Sequence, residues 1–510
     1  MSLKHVPSAG SACATLLETK VAAHSSSAEP QVQPRTLERC LLVLFLFSLP
    51  LMNPWIRGDG VGYYAYARAP LIEHSLDFTH DYQSANGSFR GARLDDSGKP
   101  KFEYLTITSH LDNHFTVGPA LLWSPFLLVA HAGVLVAREF GSSVAADGFS
   151  GPYRYAMAFG TALYGFLALL ISFRLARKYV HPMWAFIATL AIWWASSLPV
   201  YMYFNPSWSH PHSAFTVALF LWHWERTLGE RTLRQWLILA LITGLMLNVY
   251  YPNLMVVAVL LLEALWQYRE HFRGPSESAK TGILSLLSRQ LLFGVVVCLC
   301  LLPTFISRWI VYGGPFETGY LSIRDFLWAS PVFLKVLFST NHGLLSWTPV
   351  LIFSLVGLML FAYRSPLPGV PFLAGAVAFY FFISIYPDWA GISSFGNRFF
   401  ISLTSLFIFG LAVCLESVAN RFSRPRTALL VSAVVLGCLA LWNLGMIYQW
   451  GNHLIPARGP ISFSRAASNQ FQVVPHQISS KMRAYFLRRG DLMRQIEQED
   501  LEQMKQNAQP

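Results

Sequence analysis

Residues 398–418 read RFFISLTSLFIFGLAVCLESV, with one charge at the first position, Arg398, another near the end, Glu416, and none between. About 20 mainly apolar residues are enough for a helix to cross the hydrocarbon core of a bilayer. The rest of the chain supports that reading over a buried soluble strand or helix. Of its 510 residues, 54% are hydrophobic and 13% charged, against about 25% charged in a soluble domain. Comparable runs occur at 40–56, 153–173, 182–203, 211–226, 234–250, 289–311, 346–363, 367–386 and 427–449, with a shorter one at 253–268. Lipid offers no partner for backbone N–H and C=O groups, so such spans must be helical. The fold class is all-α integral membrane.

One further apolar run, 117–137, is resolved by charge. Lys and Arg collect in cytoplasmic loops. With 117–137 lying at the outer interface rather than crossing, Arg35, Arg39, Arg174, Arg177, Lys178, Arg226, Arg231, Arg234, Arg269, Arg273, Lys280, Arg289, Arg364, Arg421, Arg424 and Arg426 all fall inside. Pro119 and Pro125 suit an interfacial helix, since proline weakens a helix interior. The expectation is about 11 spans, N-terminus in and C-terminus out. Residues 1–36 form a disordered cytoplasmic tail, 37–450 the transmembrane domain with a large outer loop at 57–152 bearing interfacial helices, and 451–510 a tail on the outer face. The first apolar run lies too far in for the core of a cleaved signal peptide.

The net charge of +11 is largely this topological excess, and no basic, aromatic-interleaved surface points to nucleic acid. The six cysteines lack metal-site spacing: Cys298 and Cys300 point apart on a helix. The chain has no P-loop and no credible Rossmann fingerprint.

With this orientation the polar and aromatic residues converge on the outer face. The first outer loop opens Arg57-Gly58-Asp59-Gly60-Val61-Gly62-Tyr63-Tyr64. An acid directly after a membrane helix is a functional candidate, while spacing alone favours a cap for a helix at Tyr63–Leu71. Further tips carry Asn205, Ser207, Ser209, His210 and His212; Tyr250, Tyr251 and Asn253; Asn341, His342 and Trp347; and Asp388, Trp389, Ser393, Ser394, Asn397 and Arg398. His210 and His212 are two apart and share no helical face. Trp and Tyr at this depth are more often interface anchors. Arg398 either snorkels to headgroups or grips phosphate at a helix N-terminus, and the second reading is favoured.

Four segments carry a resemblance: GDGVGYYAY at 58–66, TVGPALLWSPF at 116–126, HGLLSWTP at 342–349 and WAGISSFGNRFF at 389–400. Together they make the chain similar to bacterial polytopic glycosyltransferases of the GT-C superfamily, which includes protein mannosyltransferases and lipid A aminoarabinose transferases. The resemblance implies a sugar moved from a polyprenyl-phosphate donor to a glycan, lipid or protein acceptor, at the periplasmic face of a bacterial inner membrane. It places Asp59 as the catalytic base and puts Arg398 and Arg308 on the donor phosphate. Tyr63, Tyr64, His210, His342, Asp388 and Trp389 are expected around the donor. Many relatives have an Asp-Glu pair where this chain has Asp59-Gly60, so Glu73, Asp77 or Asp81 are candidates for a second acid. No cofactor is implied with certainty. Asp59, Asp77 and Asp81 are the residues a divalent metal would gather, though no ligand motif marks them.

A transporter or flippase of lipid-linked sugars is the main alternative. It predicts ionisable groups near mid-membrane or interrupted helices in paired positions, whereas Glu263 and Glu416 lie near span ends. A scaffold protein would leave Asp59 and Arg398 without a role, and an O-antigen-ligase-like enzyme would differ mainly in its donor. The stretch 476–507 reads as a charged helix with a solvated face.

Overall fold

Proline decides where many of the helices begin, because the N–H it lacks would be unpaired in a first turn anyway. The computed structural model describes residues 33–229, 231–273 and 276–507; most of the expected N-terminal tail, residues 1–32, lies outside them. In chain order the main helices are α1 (Pro34–Ser48), α2 (Asp59–Arg68), α3 (Gly118–Glu139), α4 (Gly151–Ala176), α5 (Pro182–Trp194), α6 (His210–Arg226), α7 (Leu233–Val249), α8 (Ala258–Arg273), α9 (Ser276–Cys300), α10 (Leu302–Tyr312), α11 (Val350–Arg364), α12 (Pro366–Ile385), α13 (Thr404–Ala419), α14 (Pro425–Gly451), α15 (Phe463–Gln472), α16 (Val474–Leu487) and α17 (Arg489–Asn507). Among the described residues the only strand-like features are two isolated bridges in the first loop, Leu94 with Pro100 and Leu105 with Leu111. The chain is an all-α membrane protein, with six described helices long and apolar enough to cross a bilayer.

Several expected spans are interrupted near the end that carries the first loop. Residues 182–203 leave the α-helix after Trp194 and resume as a π turn at Val200–Phe204. Residues 289–311 break at Leu301, just before Pro303. The run quoted first begins as a 3-10 turn, Arg398–Leu403, before α13. Proline removes a backbone donor, and Pro199 and Pro303 lie at the first two of these breaks.

The run 117–137, expected at the outer interface, forms the helix α3. Here α3 stands antiparallel against α4: Trp123 donates to Thr161 (2.9 Å), Tyr164 donates to the Leu122 carbonyl (3.0 Å) and His131 meets Tyr153 (2.6 Å). By length and hydropathy α3 is itself one of the six. Its apolar residues lie on every side rather than along one stripe, so a second helix covers part of it while Val129 and Val136 stay exposed.

The basic clusters collect at the opposite end. Arg174 and Arg177 hold Glu38, Lys178 holds Glu225, and Arg364 donates to Ser417. A buried pair, Arg231 with Glu263 at 2.6 Å, is completed by a hydrogen bond from Trp224 to Glu263.

The centre of the bundle is α13, buried along its length from Thr404 to Leu415. It meets α11 backbone to backbone, and a Cβ added at Gly357 would stand 1.7 Å from the Gly410 carbonyl oxygen. Small residues permit such approach in membrane bundles. Gly357→Leu is expected to destabilise the protein by about 1–3 kcal/mol or more, read as a lowered Tm in detergent.

The helices after α14 fold back onto the segment joining α1 to α2, so one side of the stretch 476–507 docks while much of the rest stays exposed. His453 lies between Glu499 (3.0 Å) and Asp500 (2.8 Å) of α17, and Asp500 also pairs with Arg57. The hydrogen bond to Asp500 leads the effects that raise the His453 imidazole above its ordinary value. Burial opposes ionisation of Asp500, but His453 and Arg57 outweigh it and hold the carboxyl below its usual range. The His453 contribution is therefore complete below the ordinary His value and lost as pH rises through the raised one. The Asp500 contribution is lost as pH falls through its lowered value. Docking is expected to be tightest between those two titrations and to loosen as pH rises through the raised His453 value. Faster tryptic cleavage at Lys481, Arg483 and Arg488 on the alkaline side would show it.

Candidate active site

Asp59 and Arg398 come from opposite ends of the sequence and meet at the loop-bearing end of the bundle, Arg398 Nη2 to Asp59 Oδ2 at 2.9 Å. Asp59 opens α2, and Gly58 before it has φ +54°, a backbone state glycine enters at little cost. A Cβ at Gly60 would meet Ser207 Oγ at 1.9 Å, so glycine on either side of Asp59 lets α2 press against the 205–209 tip. Asp59 keeps 30% of its side chain exposed while Arg398 keeps 9%: the carboxylate reaches solvent and the guanidinium lies beneath it.

Trp208 completes the setting. Its ring stacks on the Arg398 guanidinium at 4.2 Å and its Nε1 donates to the Arg57 carbonyl (3.1 Å). The stack fixes the plane of the guanidinium by a cation–π contact. Two of the three guanidinium nitrogens, Nε and Nη1, are buried without a hydrogen-bond partner. A buried unpaired donor costs about 1–3 kcal/mol, more when charged, and calls for an explanation such as a bound anion or water.

Other groups face the same space. His210 packs edge-on to Tyr201 (4.9 Å) and Tyr250 (5.9 Å), and its Nδ1 has no partner. His342 directs Nδ1 at the Ala390 carbonyl (2.8 Å), while Nε2 is buried and unpaired. A carbonyl only accepts, so Nδ1 carries the proton. Burial, aided by the charge of Arg398, pushes His342 down to about 4, which makes the ring neutral and Nε2 a vacant acceptor. Burial, reinforced by the charge of Asp59, pushes the Tyr63 phenol far above its ordinary value, so it remains a neutral donor.

The remaining expected residues separate from this group. His212 points away from His210, against Trp123 (5.0 Å) and Tyr164 (5.4 Å). Tyr64 donates to the Gly148 carbonyl (2.6 Å) on another face of α2. Asp388 is exposed at the rim, and half-buried Trp389 offers its carbonyl to Asn397 (3.1 Å). Arg308 is committed to holding backbone: it donates to the carbonyls of His114 (2.8 Å) and Phe115 (3.1 Å) and to the Tyr251 hydroxyl (3.0 Å).

The second-acid candidates are also occupied. Arg68 grips Asp81 through Nε (2.6 Å) and Nη2 (2.8 Å) and Glu73 through Nη1 (2.9 Å), while Asp77 caps the turn at Thr79. A buried arginine needs compensating charge, and Arg68 draws both acids to itself. Asp59, Asp77 and Asp81 form no metal cage, and no group of three His, Cys, Asp or Glu among the described residues does.

Sequence reasoning passed over Trp208 and Tyr201. Trp208 lies inside the polar tip read for its Asn, Ser and His residues, but aromatic residues at that depth are usually interface anchors. Its spacing carried no sign of a partner in the last third of the chain.

Residues 150–292 match the model of the dolichyl-phosphate-mannose-protein mannosyltransferase family. That stretch starts at α4, runs into α9, and supplies Trp208, His210 and Tyr250. With the all-helical membrane fold, this match supports a glycosyltransferase of the GT-C class. No curated protein matches the chain. The apo oligosaccharyltransferase of Archaeoglobus fulgidus is similar at 16% identity with a TM-score of 0.42, over 85% of this chain and 53% of its own. The chain thus spans about half the length of that enzyme.

Proposed function

We propose that the protein transfers a sugar from a polyprenyl-phosphate-linked donor to an acceptor hydroxyl at the outer, periplasmic face of a bacterial inner membrane. The observation that carries this reading is Arg398: buried, stacked on Trp208, with Nε and Nη1 unpaired and the Asp59 carboxylate on Nη2. A phosphate is the anion chemistry that pairs with such donors. An apolar groove of about 680 Å³ between α3 and α4, lined by Phe126, Val129, Gly133, Ala156 and Phe159, suits a prenyl chain.

In the proposed step Asp59 removes the proton from the acceptor hydroxyl as its oxygen attacks the anomeric carbon. The bond from that carbon to the phosphate oxygen breaks, and Arg398 stabilises the charge gathering on the leaving phosphate. A single displacement inverts the anomeric centre. A covalent intermediate would need a second free carboxylate, and Glu73 and Asp81 are held by Arg68. His342 Nε2 accepts a hydroxyl of the bound sugar. The test is transfer from a panel of radiolabelled polyprenyl-phosphate sugars by membranes containing the protein. Absence of transfer from every donor, with the protein folded, would turn the reading toward transport of lipid-linked sugars.

A further inference from the structure

The C-terminal helices have no part in the chemistry above, yet they grip the segment that delivers Asp59. From α16, Tyr485 donates to the Leu51 carbonyl (2.6 Å). From α17, Arg489 donates to the carbonyls of Pro50 (2.9 Å) and Met52, and Met493 Sδ receives the Asn53 amide (3.1 Å). Two helical turns beyond, Asp500 pairs with Arg57 while His453 holds Asp500 from its other oxygen. Glu497 accepts from the Gly87 N–H (2.7 Å), and Asn86 beside it accepts from the Gly58 N–H (3.0 Å).

Both residues before Asp59 are therefore restrained from α17, Arg57 directly and Gly58 through the Asn86–Gly87 turn. The restraint matters because of what Gly58 is. Glycine leaves φ and ψ free, so its torsions, and with them the direction of the next side chain, are set by contacts rather than by local sterics. Trp208 supplies one side, its ring 3.1 Å from where a Cβ of Gly58 would stand. Asp500 and Glu497 supply the other. His453 directs both ring nitrogens at carboxylates, an arrangement satisfied by the imidazolium.

We propose that α17 is a positioning strap for Asp59: Asp500, held by His453, fixes Arg57, and Glu497 fixes Gly58 through Asn86, keeping the Asp59 carboxylate on Arg398. This rests on the reading of Asp59 as the reacting carboxylate. Asp500 and Glu497 are positioning residues, not catalytic ones. A displacement of about 1 Å costs up to about 100-fold in rate, so loss of the strap lowers kcat more than it raises the donor KM.

The experiment compares the full chain with Asp500→Asn, Asp500→Glu and Glu497→Gln, in detergent for hydrogen exchange and in membranes for transfer. The expected result for Asp500→Asn is faster amide exchange over residues 53–62 with exchange in α13 unchanged. A kcat lowered about 10- to 100-fold at nearly constant donor KM accompanies it, and Asp500→Glu restores both. Should Asp500→Asn fail to fold, Glu497→Gln is read by the same two measures. Unchanged exchange over 53–62 overturns the strap whatever the chemistry. Faster exchange with unaltered kcat overturns its role in positioning Asp59. If the unaltered protein transfers from no donor, the functional reading fails and the positioning of a reacting group fails with it; exchange then decides whether α17 restrains the segment.

Discussion

Asp59→Asn will lose sugar transfer while the protein stays folded. The substitution keeps the shape of the side chain and an oxygen that accepts from Arg398, but removes the charge and the proton-accepting group. General-base catalysis contributes about 10²–10⁴-fold, and kcat should fall by that factor. The stability cost is limited by exposure. Breaking a fully buried pair costs about 3–5 kcal/mol, but Asp59 is 30% exposed and solvent screens much of that, so the Tm in detergent should move by a few degrees. Transfer that survives in a folded Asp59→Asn moves the base elsewhere. Glu73 and Asp81 are already spoken for by Arg68, which makes the unpaired Nε2 of neutral His342 the next group to replace.

Arg398→Lys has the second largest expected effect, and it separates charge from geometry. Lysine retains one positive charge but not the planar fork, and it cannot spread over Trp208 as a guanidinium does. The loss of one or two hydrogen bonds to a charged phosphate is worth about 1.5–3 kcal/mol each, and about 1.4 kcal/mol is tenfold. Donor use, as kcat/KM, should therefore fall about 10- to 100-fold, with most of the change in kcat if Arg398 serves the leaving charge and most in KM if it serves ground-state binding. Unchanged kinetics in Arg398→Lys would remove this residue from the phosphate site and leave its unpaired nitrogens to water. The two variants act on one ion pair, so their effects should not add.

The helical membrane class, the positions of most apolar runs and the sorting of charge between the two ends were legible in the sequence. These properties are local: a span is about 20 contiguous residues whose backbone must bond to itself, and the basic clusters lie in the short links between spans. Asp59 and Arg398 were legible as types in context, an acid after a membrane helix and an arginine before one. What the tertiary structure decided is which polar groups meet. The pairing of Asp59 with Arg398 and the stack of Trp208 on it depend on how helices far apart in the chain are rotated and packed. The same packing commits Arg308 to carbonyls and Asp81 to Arg68, though by sequence each resembles the residues left for chemistry. It stands α3 against α4, and it folds the charged C-terminus back onto the approach to Asp59. An apolar period says that a side chain is buried, whereas a polar group's role depends on whether a long-range partner has already satisfied it, and that only the folded chain determines.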